Sequence, residues 1–592
     1  MSWKLLVIAA ALLATAAVHA ADNCQLARYA ELPVTMSDKQ PTVRGSINGV
    51  EGVFLADSGA FYSLLYPESV SKFKLKRQAA PWGLSVVGVG GAESVNLAVA
   101  KDFVLDGFRN NNVFHKVQFL VLSRAASDGL DGIIGQNVLG HADTEWDLGN
   151  GVVRLFHSQE CENRSLAYWS QATPFAVLEI ERPTPMAPHV IGTATLNGKP
   201  IRVMFDSGCE RSMLSLKAAR QAGFDQNAQG VVSGGEVSGI GRRTVTTWIG
   251  TFDELALDSE KIKHARLRVG EGDNLDVDMV LGADFFLSHR LYVAPDQRRI
   301  YFTYNGGRVF DLSVTTPAAQ ALAAPSATTP NITAESAMDV DQLKRRAAAF
   351  MAREDYRQAI IHFDQALQLD PMDADMLAQR GLAHLHAGDR QLALHDLDEA
   401  LKAKPTHIDA RRLRITLRLD EEDESGARAD LEVLMQITAN DAAMSLDVIG
   451  IYTDAGFHED AVKQVGSWIE KHPDADEMPT ALNLRCWTRA LMGKELEAAL
   501  ADCNAALKQS SREPAYLDSR GLVWIRLGDY KNAIKDYSVV IKQQPDNAWS
   551  LYGLGLSEAR AGLTAQGEKH RQAAIALDPA VIQGYAAIGL AP

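Results

Sequence analysis

Basic residues are in deficit in this chain. Fifty-nine Lys and Arg stand against 74 Asp and Glu, a net charge of −15 over 592 residues. That balance argues against a nucleic-acid-binding protein, whose polyanionic partner calls for a basic patch. Cysteine is scarce: the five present are too few for a disulfide-built scaffold, and none falls in the Cys/His spacing of a zinc site. A glycine-rich phosphate loop is absent. Long apolar runs are missing after the N-terminus, which excludes a membrane span in the mature chain. The single candidate, Leu5 to Ala17, is too short to cross a bilayer comfortably. With Lys4 ahead of it and Val18-His19-Ala20 behind, it reads as a signal peptide over residues 1–20. Cys24 lacks the small-residue context of a lipoprotein cysteine. The expectation is an exported protein, periplasmic or secreted.

What the chain does contain is a motif written twice. Gly52-Val-Phe-Leu-Ala-Asp57-Ser58-Gly59-Ala60 has a counterpart in Arg202-Val-Met-Phe-Asp206-Ser207-Gly208-Cys209. Each places Asp-Ser-Gly at the end of an apolar, strand-like run, and each follows an Asn-Gly hairpin signal, Asn48-Gly49 or Asn197-Gly198. Downstream, glycines alternate with apolar residues at Gly88, Gly90 and Gly91, and again at Gly239 and Gly241, a composition suited to a hairpin tip. Then come Asp131-Gly-Ile-Ile-Gly135-Gln136-Asn137-Val-Leu and Asp278-Met-Val-Leu-Gly282-Ala283-Asp284-Phe-Phe. Gly135 follows Asp57 by 78 residues and Gly282 follows Asp206 by 76. Matching features in one order at near-equal spacing indicate an internal duplication.

Each copy resembles a retropepsin-type aspartic protease half: Asp-Thr/Ser-Gly-Ala, a Gly-rich flap, then two apolar residues and Gly before a short helix. The resemblance covers roughly residues 28–305. It implies an all-β duplicated acid protease fold, with both halves pairing within one chain as in pepsin-like enzymes. It also implies a chemistry. Two adjacent carboxylates share one proton; one acts as base on a water while the other serves the substrate carbonyl. Like charges that close cannot both ionise easily, so the pair titrates as a unit. The catalytic candidates are Asp57 and Asp206. Ser58 and Ser207 are candidates to hold the two loops together, Gly59 and Gly208 to let the backbone turn beside the carboxylates. The flap glycines Gly88, Gly90, Gly91, Gly239 and Gly241 would cover substrate. No metal or organic cofactor is required.

The copies differ in places. Cys209 replaces Ala60, either as a small buried thiol or as a redox-sensitive group beside the loop. Asp284 stands opposite Asn137 and is expected to cap or begin a helix. The second flap carries Arg242 and Arg243 where the first has Ala92 and Glu93. In an exported chain, Cys24 and Cys161 are natural disulfide partners, since one opens the first half and the other follows its last strand. Cys486 and Cys503 fall on adjacent helices and are open to pairing or to simple packing.

After Tyr304 the composition changes. Residues 314–335 are rich in Ala, Pro, Thr and Ser, as a flexible linker is. A period of 34 residues follows: Pro371, Pro405, Ala439, Pro473, then Ser511, Pro545 and Pro579 after a short expansion. Ala359, Ala393, Ala427 and Ala461 keep the same spacing, as do Ala499 and Ala533. This resembles the tetratricopeptide repeat, small residues marking where paired helices approach and Pro ending the second helix. About seven repeats and a capping helix are expected, forming an α-solenoid that binds peptides or partner proteins. Gln379, Arg380, Arg411, Arg414, Asn483 and Arg520 are either groove residues or an ordinary solvated face.

The expected organisation is therefore a signal peptide (1–20), two retropepsin-like halves (21–165 and 166–306), a linker (307–339) and a repeat solenoid (340–592). The expected function is an exported aspartic endopeptidase with a helical docking domain for a peptide or protein substrate or partner. The alternative is a catalytically inactive peptide-binding or scaffold protein of the cell envelope that works through its solenoid.

Overall fold

The computed structural model describes residues 24–81, 84–88, 90–108, 113–123, 129–162, 164–170, 174–184, 188–237, 239, 244–271, 276–310 and 338–590. The signal-peptide reading, the linker composition, Gly241, Arg242 and Arg243 fall outside them. The molecule divides into two units, one of residues 1–376 and 383–389, the other of 377–382 and 390–592.

The first unit holds both β halves, and each folds on the same plan. In the first, Asn48-Gly49 turns the chain between strands Gln40–Ile47 and Val50–Ala56; Asn48 and Gly49 both have positive φ, as a tight hairpin turn requires. Strand Val50–Ala56 then runs parallel to the short, fully buried strand Gly132–Ile134, so that Leu55 and Ala56 pair with Ile133 and Ile134. The second half repeats this. Strands Ile191–Leu196 and Lys199–Phe205 form the hairpin, and the latter runs parallel to Met279–Leu281. Each sheet bends back on itself, because Gln40–Ile47 also pairs with Asn96–Leu105, and Ile191–Leu196 with Val245–Leu257.

A third sheet of six strands is built by both halves. Its central junction pairs Asp143–Asp147 of the first half with His289–Ala294 of the second. Trp146, Tyr292 and Tyr301 are buried on it. This shared sheet holds the halves as one body and thereby fixes the two Asp-Ser-Gly loops relative to each other. Cys24 is joined to Cys161 beside it.

The helix Val340–Ala352 belongs to this same unit, which departs from the boundary expected at residue 340. Ala349 and Ala352 lie in the hydrophobic core that includes Val34, Leu148 and Phe286. Lys39 pairs with Glu354 at 2.6 Å, and the Arg353 guanidinium donates to the Gly306 carbonyl. A Cβ on Gly151 would collide with Arg345 of this helix, in addition to the strain of its φ of 66°. The 34-residue period places this helix in the solenoid, and it does pair with the next helix, Tyr356–Leu369, where Phe350 meets the His362 ring, while Ala349 and Ala352 face the β halves.

The helical region runs as antiparallel pairs up to Thr564–Leu577, followed by the short helix Val581–Ala587. Asp side chains start many of these helices by accepting a backbone N–H, among them Asp355, Asp373, Asp441 and Asp529. Ala359, Ala393, Ala427, Ala461, Ala499 and Ala533 are all completely buried. At Gly521 a Cβ would stand 2.8 Å from the Tyr537 ring, so only glycine permits that crossing. Cys486 and Cys503 are disulfide-bonded across one helix pair. The groove candidates divide. Arg380, Arg411, Arg414 and Arg520 do not form a free face: they bind the buried carboxylates of Asp396, Asp430 and Asp536 inside their own helix pairs. Gln379 is exposed. Asn483, with Trp487, Glu513, Asp518 and Asn547, lines a cavity of about 340 Å³. No helix among the described residues is long and apolar enough to cross a membrane.

Candidate active site

The strand geometry delivers Asp57 and Asp206 to one place. Each Asp is the first residue past its strand, and its N–H is still held by the parallel partner: Asp57 N by Ile134 O at 3.0 Å, Asp206 N by Leu281 O at 2.9 Å. The chain then turns sharply. Asp57 Oδ1 accepts from the N–H groups of Gly59 and Ala60, both at 2.8 Å. Asp206 Oδ1 accepts from Gly208 at 2.9 Å and Cys209 at 3.2 Å. Each glycine sits against the opposite carboxylate: a Cβ on Gly59 would lie 2.2 Å from Asp206 Cγ, and one on Gly208 2.3 Å from Asp57 Cγ. Any larger residue would drive the carboxylates apart.

The serines lock the loops reciprocally. Ser58 Oγ donates to Phe205 O at 3.0 Å and accepts from Ser207 N at 2.9 Å. Ser207 Oγ donates to Ala56 O at 2.8 Å and accepts from Ser58 N at 3.0 Å. Both serines are buried, so these four bonds are shielded from water.

The two carboxylates are hydrogen-bonded to each other, and their environments differ. Both keep a partly exposed edge while protein atoms surround the rest. Burial first, then the charge of Asp206 and the hydrogen bond to it, push Asp57 well above the usual carboxylate range. Burial also raises Asp206, but the hydrogen bond from Asp57, the N–H groups of Gly208 and Cys209, and the nearby His189 pull it back. The pair therefore titrates as a unit that shares one proton, with Asp57 pushed up further than Asp206.

Behind each loop a second tie repeats. Ser63 N and Oγ donate to Asn137 Oδ1 at 2.6 and 2.7 Å, while Gly135 N donates to Ser63 Oγ. In the second half Ser212 N and Oγ donate to Asp284 Oδ1 at 2.9 and 2.6 Å, and Gly282 N donates to Ser212 Oγ. Asp284 is thus not the helix cap, a position taken by Gly282. It lies within the first turn of Ala283–Ser288 and clamps the loop's return strand. Burial raises Asp284 to about 6. Sequence reading paired Asn137 with Asp284 but did not find their serine partners, although both serines lie six residues beyond their Asp.

Cys209 is a free, half-buried thiol. Burial and the neighbouring Asp206 and Asp284 carboxylates push it well above its ordinary value, and Sγ donates to Arg211 O at 3.0 Å. A thiol kept protonated is a poor nucleophile, which favours the packing reading over the redox one. Of the flap glycines, Gly88 and Gly91 face each other in the hairpin Ser85–Gly88 and Gly91–Ser94, with Gly90 at its tip. Gly239 follows strand Val232–Val237, which pairs with Val245–Leu257. That hairpin is tied at its base by Arg268, which donates to the Gly234 carbonyl and to Thr247 Oγ1.

Residues 43–138 and 192–285 match the family of aspartyl proteases. Each of the two β halves thus carries one match to that family's model. The matched segments begin in the hairpin before each Asp and end in the helix that clamps it. The helical region resembles tetratricopeptide solenoids. Similar solved structures include a tetratricopeptide repeat protein from Parabacteroides merdae, at 13% identity and TM-score 0.35, covering 42% of this chain and 98% of that one. PilW, a type IV pilus biogenesis factor, is 15% identical with a TM-score of 0.29, covering 35% of this chain and 93% of its own. Pseudomonas aeruginosa pilF is 18% identical with a TM-score of 0.28, covering 36% and 97%. No curated protein matches the chain.

Proposed function

We propose that this protein is an exported aspartic endopeptidase that hydrolyses peptide bonds with a water held between Asp57 and Asp206, its solenoid docking the protein substrate or a partner. The observation that carries the reading is the pair of mutually hydrogen-bonded carboxylates, fixed by the crossed serine bonds where the two halves meet. The unequal environments of the pair set the roles. Ionised Asp206 takes a proton from water as the water oxygen bonds to the scissile carbonyl carbon, and Asp57 gives its proton to the carbonyl oxygen. The tetrahedral species collapses when Asp206 passes its proton to the departing amine and Asp57 recovers one from the hydroxyl. The glycine-rich hairpins act as lids, and Cys24–Cys161 suits an oxidising compartment.

Activity on this account follows a bell-shaped pH profile displaced to the acid side, because raising the pH removes the shared proton from Asp57. The test is cleavage of a random peptide library by the mature protein across pH, with and without a transition-state-mimicking aspartic protease inhibitor. Inhibitor-sensitive cleavage falling away at alkaline pH is expected. Absence of cleavage at every pH would favour a peptide-binding role.

A further inference from the structure

The cavity of about 340 Å³ in the solenoid is framed by the first helices of three successive pairs. Asn483 and Trp487 reach it from Met478–Met492, one turn apart, and Asp518 from Pro514–Leu527. Asn547, the cap of Ala548–Arg560, completes the wall, and exposed Glu513 adds a second carboxylate. The lining is rich in acceptors and contains no Lys, Arg or His. On the neighbouring second helices, Asp502 and Asp536 are neutralised by Arg485, Arg489 and Arg520. Asp518 is not: among the described residues it accepts one hydrogen bond, from Ser550 Oγ, and has no ion partner. Burial raises its carboxyl to about 6, the direction expected of a carboxyl without a counter-charge. Asn483 Oδ1 is buried and accepts no hydrogen bond among the described residues. Beside them stands the Trp487 indole, set edge-on to Trp549 with ring centroids 5.8 Å apart.

We propose that this cavity receives a basic side chain, Lys or Arg, of a protein docked on the solenoid, its cationic head donating to Asp518 and Asn483 Oδ1 beside the Trp487 ring. This rests on the reading of the solenoid as the docking part and is independent of the proteolytic chemistry. Ammonium and guanidinium groups carry several N–H donors and no acceptor, which complements a wall of unpaired acceptors. The indole is the aromatic ring that attracts a cation most strongly. An anionic group would meet two carboxylates and no cation. An apolar side chain would seal Asp518 and Asn483 Oδ1 away from water without a donor, at the full cost of leaving buried acceptors unpaired. The volume is at the small end of the roughly 300–1,000 Å³ of ligand pockets, which suits one long side chain and not a folded element. The apolar stem of Lys or Arg has Pro514 and Ala515 in the same wall to lie against. The net charge of −15 favours approach of a basic partner.

The test selects binders from a random displayed-peptide library on the full mature protein, at a pH well above 6 where Asp518 is ionised. Selected peptides are then titrated against protein carrying 5-fluorotryptophan, with the Trp487 fluorine resonance assigned from Trp487→Phe. The peptides are expected to carry a Lys or Arg and to shift the Trp487 resonance. Replacing that residue by norleucine is expected to weaken binding roughly 10–100-fold, and Asp518→Asn to weaken the parent peptide by a similar factor. Glu513→Gln, at an exposed position where folding is not at stake, is expected to cost only a few-fold. Equal binding of the norleucine peptide, or parent-like affinity in folded Asp518→Asn, would overturn the proposal. So would n-butylamine shifting Trp487 at the same concentration as the lysine peptide, which would assign the cavity to a free amine. Peptides that bind without moving Trp487 would overturn this inference and leave the docking reading standing, whereas a library that yields no binder would defeat both. The resonance reports on the cavity even in a protein that cleaves nothing.

Discussion

Asp284 and Asn137 do one job with different chemistry. Each accepts from the N–H and hydroxyl of a serine six residues past the dyad Asp, yet only Asp284 carries a titratable group there. Its carboxyl is raised to about 6, so the folded protein binds its proton more tightly than the unfolded chain does. The stability tied to that proton is complete below the unfolded value near 4 and is lost as pH rises through about 6. Asp284→Asn keeps both serine bonds and removes the penalty. It is expected to stabilise the β unit by about 1–3 kcal/mol at pH 7 and to leave stability at pH 4 nearly unchanged. Urea denaturation at the two pH values checks this; equal effects at both would show that the carboxylate carries no pH-linked cost.

Between elements, the junction of the halves depends on two hydroxyls. Replacing Ser58 by Ala removes the acceptor for Ser207 N and the donor to Phe205 O in a place water does not reach. A loss of roughly 1–3 kcal/mol is expected for Ser58→Ala and for Ser207→Ala, with the double variant losing less than the sum because the bonds share partners. Unchanged denaturation midpoints would mean that the shared sheet alone fixes the loops. Asp-Ser-Gly repeated at the end of two strands made these elements legible in the sequence, because strand, turn and short helix each have a local signature. The ties behind them were less so. Ser63–Asn137 and Ser212–Asp284 span more than seventy residues, so no local pattern marks the contacts. The arginines of the solenoid misled for a related reason. Their spacing on the first helices was visible, but the buried Asp that each one binds lies on the second helix. Arg380–Asp396, Arg414–Asp430 and Arg520–Asp536 share a separation of 16 residues, a register that the sequence carries once the pairing is known.

At the scale of the whole chain, repeat period and structural unit do not coincide. A protein ending at residue 306 keeps every strand of the β halves but strips Ala349 and Ala352 from their core and removes the partners of Lys39 and Gly306. It is expected to unfold at lower urea and to bind a hydrophobic dye, whereas one ending at residue 376 retains the helix and folds close to its full stability. Equal stability of the two, measured side by side, would mean that the helix only rests on the surface. The claim on which the functional account depends is that one water-activating dyad is formed by Asp57 and Asp206. Its most direct test is peptide cleavage by the full mature protein against its Asp57→Asn and Asp206→Asn variants at the pH optimum, with folding verified by circular dichroism. Asn fills the same volume but cannot exchange the proton, so each variant is expected to lose activity by roughly 10²–10⁴-fold or more while remaining folded. Full cleavage by either folded variant would contradict the account.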